Sequence, residues 1–252
     1  ARLWVAEASA ALSAGDSYGA LDAYRHAARL DPWEPEHHLA LALVLNALDE
    51  PDAARSELVR ATRIADVGKT WYRLGRHLLQ HGDAAGAVEA LERSRRADPL
   101  HLRCQLTLAQ AYRASGKPHE ARDVYLEMAR LHASPVGRIR AIPEVVDWEY
   151  GLAYAELAEG EMKDGDAAAA YAHLGNAETI LGELWRTRNE PMVTIRVPAD
   201  AMREAAARYE WVLEQRARLS SSFASAIEAR ASVEKLARFR AERDADAEGV
   251  PQ

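Results

Sequence analysis

Residues 81 to 99, HGDAAGAVEALERSRRADP, restate residues 14 to 32, AGDSYGALDAYRHAARLDP, without a gap and 67 residues apart. The two stretches share Gly15/Gly82, Asp16/Asp83, Gly19/Gly86, Ala20/Ala87, Ala23/Ala90, Arg29/Arg96, Asp31/Asp98 and Pro32/Pro99. An internal repeat constrains the fold more than any single motif, because each copy must bury its apolar face on the next. Taking the glycine and its following residue as a marker, the series runs Gly15-Asp16, Asp49-Glu50, Gly82-Asp83, Gly116-Lys117 and Gly165-Asp166. The steps are 34, 33, 34 and 49 residues.

After each marker comes a stripe at helical spacing: Ala20, Tyr24 and Ala27; Ala54, Leu58 and Ala61; Ala87, Leu91 and Ser94; Ala121, Tyr125 and Met128; Ala170, Leu174 and Ala177. Steps of four and three put each triplet on one helix face. Before each marker lies a second stripe: Trp4 and Ala8; Leu41, Ala42 and Leu45; Trp71, Leu74, Gly75 and Leu78; Leu108, Ala109 and Tyr112; Tyr154, Leu157 and Ala158. Small residues recur there at one phase, where a large side chain would hold paired helices apart. The marker glycine supplies the left-handed conformation that ends one helix, and the acid opens the next at its positive end. Pro32 and Pro99 stop the second helix. Each unit is therefore helix, tight turn, helix, stop.

Residues Trp71, Leu74, Gly75, Leu78, Gly82, Ala87, Leu91 and Pro99 resemble the tetratricopeptide repeat, whose unit of about 34 residues carries an aromatic, a leucine-small pair, a turn glycine and a closing proline. The first unit resembles it through Trp4, Ala8, Gly15, Ala20, Tyr24, Ala27 and Pro32, the fourth through Leu108, Ala109, Tyr112, Gly116, Ala121 and Tyr125. The second departs at Asp49 and at Asp66, where a proline would stand. This resemblance implies an all-α, right-handed superhelical solenoid of about five helical hairpins. The units are placed at 1–34, 35–67, 68–101, 102–135 and 144–190, interrupted by HASPVGRIRAIPEVV. Residues 191–252 are expected to hold an extended connection, capping helices at Ala199–Leu219 and Phe223–Arg243 split by Ser220-Ser221-Ser222, and a frayed tail DADAEGVPQ.

Composition agrees. About a fifth of the chain is alanine, and arginine outnumbers lysine 28 to 4. A net charge of −7 argues against a general nucleic-acid binder. No apolar run approaches the ~20 residues of a membrane span. The chain starts without methionine on an amphipathic helix, which predicts a piece of a longer protein. A cytoplasmic setting is favoured, with periplasmic placement or membrane tethering through flanking sequence as the alternative.

The solenoid reading puts a concave face on the first helices, with these residues turned outward: Arg2, Val5 and Ser9; Leu39, Leu43 and Asn46; Lys69, Tyr72, Arg76 and Gln80; Arg103, Leu106, Gln110 and Arg113; Ala155, Glu159 and Met162. The middle two helices contribute four cations and no acid, a reversal of sign in an acidic protein. Lys69, Arg76, Arg103 and Arg113 are expected to hold acidic side chains or a free carboxylate, with Tyr72, Gln80, Gln110 and Asn46 bonding a peptide. The bland reading is a solvated face whose cations pair with neighbouring acids. The carboxylate clamp of chaperone-binding members, which uses lysine and asparagine on the first helix, does not fit Val5 and Ser9.

Other chemistry is thin. His77 and His81 stand at i, i+4, but two ligands do not make a metal site, and packing is the expectation. Cys104 should be an inert buried thiol. Trp4 and Trp71 fit packing slots, while Trp148, Trp185 and Trp211, with Trp33, are expected to knit the C-terminal helices onto the solenoid. No phosphate loop or nucleophile elbow is visible. The expected role is a non-enzymatic module binding a peptide or partner protein, without cofactor or metal. The rival is a structural or self-association domain of a larger bacterial membrane or envelope-assembly protein, such as a polysaccharide polymerase or O-antigen ligase-like parent.

Overall fold

The computed structural model describes residues 1–134, 147–190, 193 and 197–247. Among them are twelve helices and no strand: α1 Arg2–Ser13, α2 Ser17–Leu30, α3 Pro35–Ala47, α4 Pro51–Ile64, α5 Gly68–Gln80, α6 Ala84–Ala97, α7 Leu102–Ala114, α8 Pro118–Ala133, α9 Trp148–Asp164, α10 Ala167–Thr187, α11 Ala199–Phe223 and α12 Ala226–Ala247. The chain divides within α8 into two compact units, 1–121 and 122–252. In the first, α1 pairs with α2, α3 with α4 and α5 with α6, and each pair stacks on the next. In the second, α9 packs on α10, α10 on α11 and α11 on α12.

The repeat stripes form the core. Ala20, Tyr24, Ala27, Ala54, Leu58, Ala61, Ala87, Leu91, Ser94, Ala121, Tyr125, Met128, Ala170, Leu174 and Ala177 are all buried. The small residues of the first helices, Ala8, Ala42, Ala109 and Ala158, are buried with them. Gly75 is buried too, and a Cβ there would lie 2.5 Å from Leu91 Cγ, so the α5/α6 contact is closer than any side chain allows.

The turn marker works through backbone conformation. Gly15, Gly82, Gly116 and Gly165 all have φ between 76° and 84°. A Cβ at Gly82 would meet nothing within 4 Å, so conformation rather than space selects glycine. The second residue of each marker donates its N–H back into the last helical turn, from Asp16 to Ala11, Glu50 to Leu45, Asp83 to Leu78, Lys117 to Tyr112 and Asp166 to Glu161. Asp16, Asp83 and Asp166 then cap the following helix by accepting from the N–H of Gly19, Gly86 and Ala169. A Cβ at Gly19 would stand 2.2 Å from the Asp16 carboxylate, which explains that shared glycine, although Ala169 shows that the cap also forms beside alanine.

Asp49 is the exception, a non-glycine residue at φ 59°. A left-handed side-chain-bearing residue is strained by about 1–2 kcal/mol, part of which glycine returns as unfolded-state entropy. Asp49→Gly is therefore expected to raise the stability measured by urea unfolding by about 0.5 kcal/mol, whereas Gly82→Ala lowers it by about 1 kcal/mol.

Near the C-terminus the helix boundaries differ from the sequence reading. Ser220, Ser221 and Ser222 do not break the chain, because α11 continues to Phe223. Ser220 Oγ–H donates a hydrogen bond to the Ala217 carbonyl within the helix. The break falls at Ala224-Ser225, where Ser225 and Glu228 satisfy each other's backbone N–H in a capping box. The α12 helix also extends through Ala247, so the first four residues of the expected tail are helical. The 134–143 insert falls almost wholly outside the described residues, as does most of the 190–198 connection.

Candidate functional site

The first unit places the outer faces of α3, α5 and α7 side by side, since α3 approaches α5 and α5 approaches α7. Leu74, Gly75 and Leu78 turn α5 toward the core. Its other face carries Lys69, Tyr72, Arg73, Arg76 and Gln80. A pocket opens there, lined by Leu39, Ala42, Leu43 and Asn46 of α3, Leu58 of α4, and Arg73, Arg76, His77 and Gln80 of α5. Of the residues expected from sequence, Asn46, Arg76 and Gln80 thus meet in one place, with Leu39 and Leu43 beside them.

Arg73 was missed by the sequence reading. Its guanidinium is held below its ordinary range by burial and by Arg76, with Arg103 acting in the same direction and Tyr72 and Glu36 partly opposing. Neither Arg73 nor Arg76 forms an ion pair among the described residues. The i, i+3, i+7 spacing of Arg73, Arg76 and Gln80 was the signal that could have grouped them.

The remaining candidates are placed differently. Lys69 reaches back to the Glu36 carboxylate at 2.6 Å, a pair exposed on both sides. That is the bland reading, realised at one position. Tyr72 meets the edge of the His101 ring at 4.7 Å. Arg103 and Gln110 are half-buried on α7, and Arg113 is exposed in its last turn; none of the three lines the pocket. Leu106 and Ala155, expected on the outer face, are buried instead. Glu159, also expected on that face, is half-buried and engaged by Arg208 at 2.6 Å and Lys163 at 2.9 Å. Burial alone would raise its pKa; the hydrogen bonds from Arg208 and Lys163 outweigh burial and pull it to about 2.

His77 is buried, and its ring lies 4.4 Å from that of His81, tilted by 46°. Burial, then His81, lowers its pKa, so it is a neutral wall of the pocket at pH 7. Among the described residues no three His, Cys, Asp or Glu side chains gather as a metal site. Cys104 is fully buried with its thiol directed at the Leu91 carbonyl, and burial pushes it up to about 11. Such a thiol is unreactive at neutral pH.

The tryptophans divide. Trp4 stacks on His26 at 4.4 Å, and Trp71 lies under Arg93. Trp185 joins α10 to α12 through the Phe239 ring at 4.8 Å and the Glu242 carboxylate. Trp211 instead lies under Arg208, one turn away on its own helix. Trp148 is buried, whereas Trp33 is 79% exposed and knits nothing.

A family profile described as the tetratricopeptide repeat matches residues 5–67 and 72–138, together just over half of the chain. Superkiller complex protein 3 of Mus musculus is 27% identical over 177 residues, covering 68% of this chain and 11% of the relative. Tetratricopeptide repeat protein 37 of Xenopus laevis is 28% identical over 176 residues, again 68% and 11%. The chain therefore spans about a tenth of the length of these relatives. Among solved structures, PilF of Pseudomonas aeruginosa aligns with a TM-score of 0.61 at 17% identity, covering 93% of this chain and 87% of that one. MamA of Desulfovibrio magneticus aligns with a TM-score of 0.57 at 19% identity, covering 75% and 97%. Among the described residues no helix is long and apolar enough to cross a membrane. With its stripes buried and its turns left-handed at the repeat period, the chain belongs to the tetratricopeptide repeat family, whose fold serves as a scaffold for protein–protein interaction.

Proposed function

We propose that the outer face of α3, α5 and α7 binds an acidic peptide segment or a free carboxylate of a partner protein, with Arg73 and Arg76 as the anchors. The observation that carries this reading is the pocket lined by both Arg73 and Arg76, neither in an ion pair among the described residues, together with Leu39, Leu43, Asn46 and Gln80. Like charges brought together at a partly desolvated site repel, and an entering carboxylate relieves that repulsion while accepting paired N–H bonds. Asn46 and Gln80 offer donors and acceptors for a peptide backbone, and the leucines offer apolar contact. Arg103 adds positive potential from α7. Arg113, Gln110, Tyr72 and Lys69 belong to the same face rather than to the pocket, and the Lys69–Glu36 pair limits what Lys69 contributes.

The test is fluorescence anisotropy with a labelled alternating Asp-Glu decapeptide carrying a free carboxy terminus. Charge-assisted hydrogen bonds contribute roughly 1.5–3 kcal/mol each, so Arg73→Glu with Arg76→Glu should weaken binding by at least about 100-fold. Raising NaCl from 0.05 to 0.5 M should weaken the wild-type complex as well. Unchanged affinity in the double variant, or equal binding of a lysine decapeptide, would sink the proposal.

A further inference from the structure

In the second unit, the last helix is attached in an unusual way. Of the 22 residues of α12, only Phe239 is buried. Its ring lies 4.8 Å from Trp185 of α10 and 5.1 Å, edge to face, from Tyr209 of α11. Around that aromatic knob, the contacts are mostly ionic. Lys235 reaches Glu178 of α10, Arg240 reaches Glu210 and Glu214 of α11, and Arg243 also reaches Glu210. The cations of these pairs are 41–46% exposed and their carboxylates 15–40% exposed. Ion pairs this exposed add little to stability and weaken with salt. The opposite face of α12 leaves Ile227 82% and Val233 55% exposed.

The cleft beneath α12 has its own character. Trp185 and Tyr209 form an aromatic floor, and Glu178, Glu210 and Glu214 supply carboxylates from two different helices, Glu178 shared with Arg216, while Arg188 over the Trp185 ring adds one cation that pairs with Asp246 of α12. Tyr209 fits tightly there, since a Cβ at Gly182 would lie 2.8 Å from its hydroxyl oxygen. An aromatic slot ringed by carboxylates is complementary to an amphipathic helix that carries one aromatic residue flanked by cations at helical spacing. Lys235, Phe239, Arg240 and Arg243 present that pattern within the chain itself.

We propose that the α10/α11 cleft is a binding site for a basic, aromatic-bearing helix of a partner protein, and that α12 fills it in cis as a displaceable occupant. The site is separate from the basic face of the first unit and of opposite charge. Exchange of α12 for a partner helix would re-form pairs of the same kind with a new chain, so the cost of opening is set by the Phe239 contacts, the Trp185–Glu242 hydrogen bond and the Arg188–Asp246 pair.

Two measurements on the full chain test this. Hydrogen exchange should show α12 amides opening about tenfold faster in 0.5 M than in 0.05 M NaCl, while α9 to α11 change little. A labelled peptide with the sequence of residues 226–247 should bind the Phe239→Ala chain at least about tenfold more tightly than wild type, because its slot is vacated. The same peptide carrying its own Phe239→Ala change should not bind. Protection of α12 equal to that of α10 at both salt concentrations would overturn the proposal. So would failure of the peptide to bind a folded Phe239→Ala chain. If that variant unfolds, the wild-type exchange result decides the matter alone.

Discussion

Replacing Gly75 with leucine is expected to cost at least about 3 kcal/mol of stability, the largest loss from a single added side chain in the first unit. Even the first carbon of that side chain would fall 2.5 Å from Leu91 Cγ and 3.3 Å from the Ala87 carbonyl oxygen. Leu91 is completely buried, so it has no solvent-side rotamer to escape into. Gly75→Ala gains about 1 kcal/mol of helix propensity, yet overpacking of about 1–3 kcal/mol leaves it net destabilising. Relief must come from the partner: Leu91→Ala should rescue much of the Gly75→Ala penalty, although it opens a cavity of its own. Urea unfolding of the four proteins of that cycle measures the coupling. Additive losses would show that the two helices do not touch there.

Arg208→Ala should be nearly as damaging, by about 2–4 kcal/mol at pH 7. Its guanidinium lies 3.1 Å from Glu156 and 2.6 Å from Glu159 and covers the Trp211 ring at 4.1 Å. Removal leaves two largely shielded carboxylates facing each other without their shared cation. The loss should depend on pH in a definite direction. Glu159 has its pKa pulled from an ordinary 4.5 to about 2 in the folded protein, against the effect of burial. A depressed pKa contributes stability that is complete above 4.5 and disappears as pH falls toward 2. The deficit of Arg208→Ala relative to wild type should therefore be full at pH 7 and shrink between pH 4.5 and 2. A deficit that stays constant across that window would assign the loss to packing on Trp211 rather than to charge.

Much of the architecture could be read in the chain because one physical pattern was written five times. Ala87, Leu91 and Ser94 share a phase with their counterparts in every unit, and burial follows that phase. Single features without a repeated counterpart were harder. The capping box of Ser225 and Glu228 is as regular as any turn, yet the run of serines just before it drew attention to the wrong boundary. Arg73 was passed over because periodicity assigns a residue to a face only coarsely, and its value lies in lining the same pocket as Arg76. The arginine–carboxylate links between helices of the second unit join residues 26 to 58 positions apart, as in Arg240–Glu214 and Arg188–Asp246. Such distances follow from helix packing, which spacing alone does not specify. Leu106 and Ala155 show the same limit, since apolar residues one or two positions off the stripe are buried as well.

The central claim is that Arg73 and Arg76 are the anchors of an acidic-peptide site, and arginine side-chain NMR tests it most directly. Titrating the Asp-Glu decapeptide into the isotope-labelled full chain should shift and saturate the Nε–Hε signals of Arg73 and Arg76 together, with Arg208 and Arg216 unmoved. Shifts that are confined to Arg208 and Arg216, or that grow linearly without saturation, would contradict it.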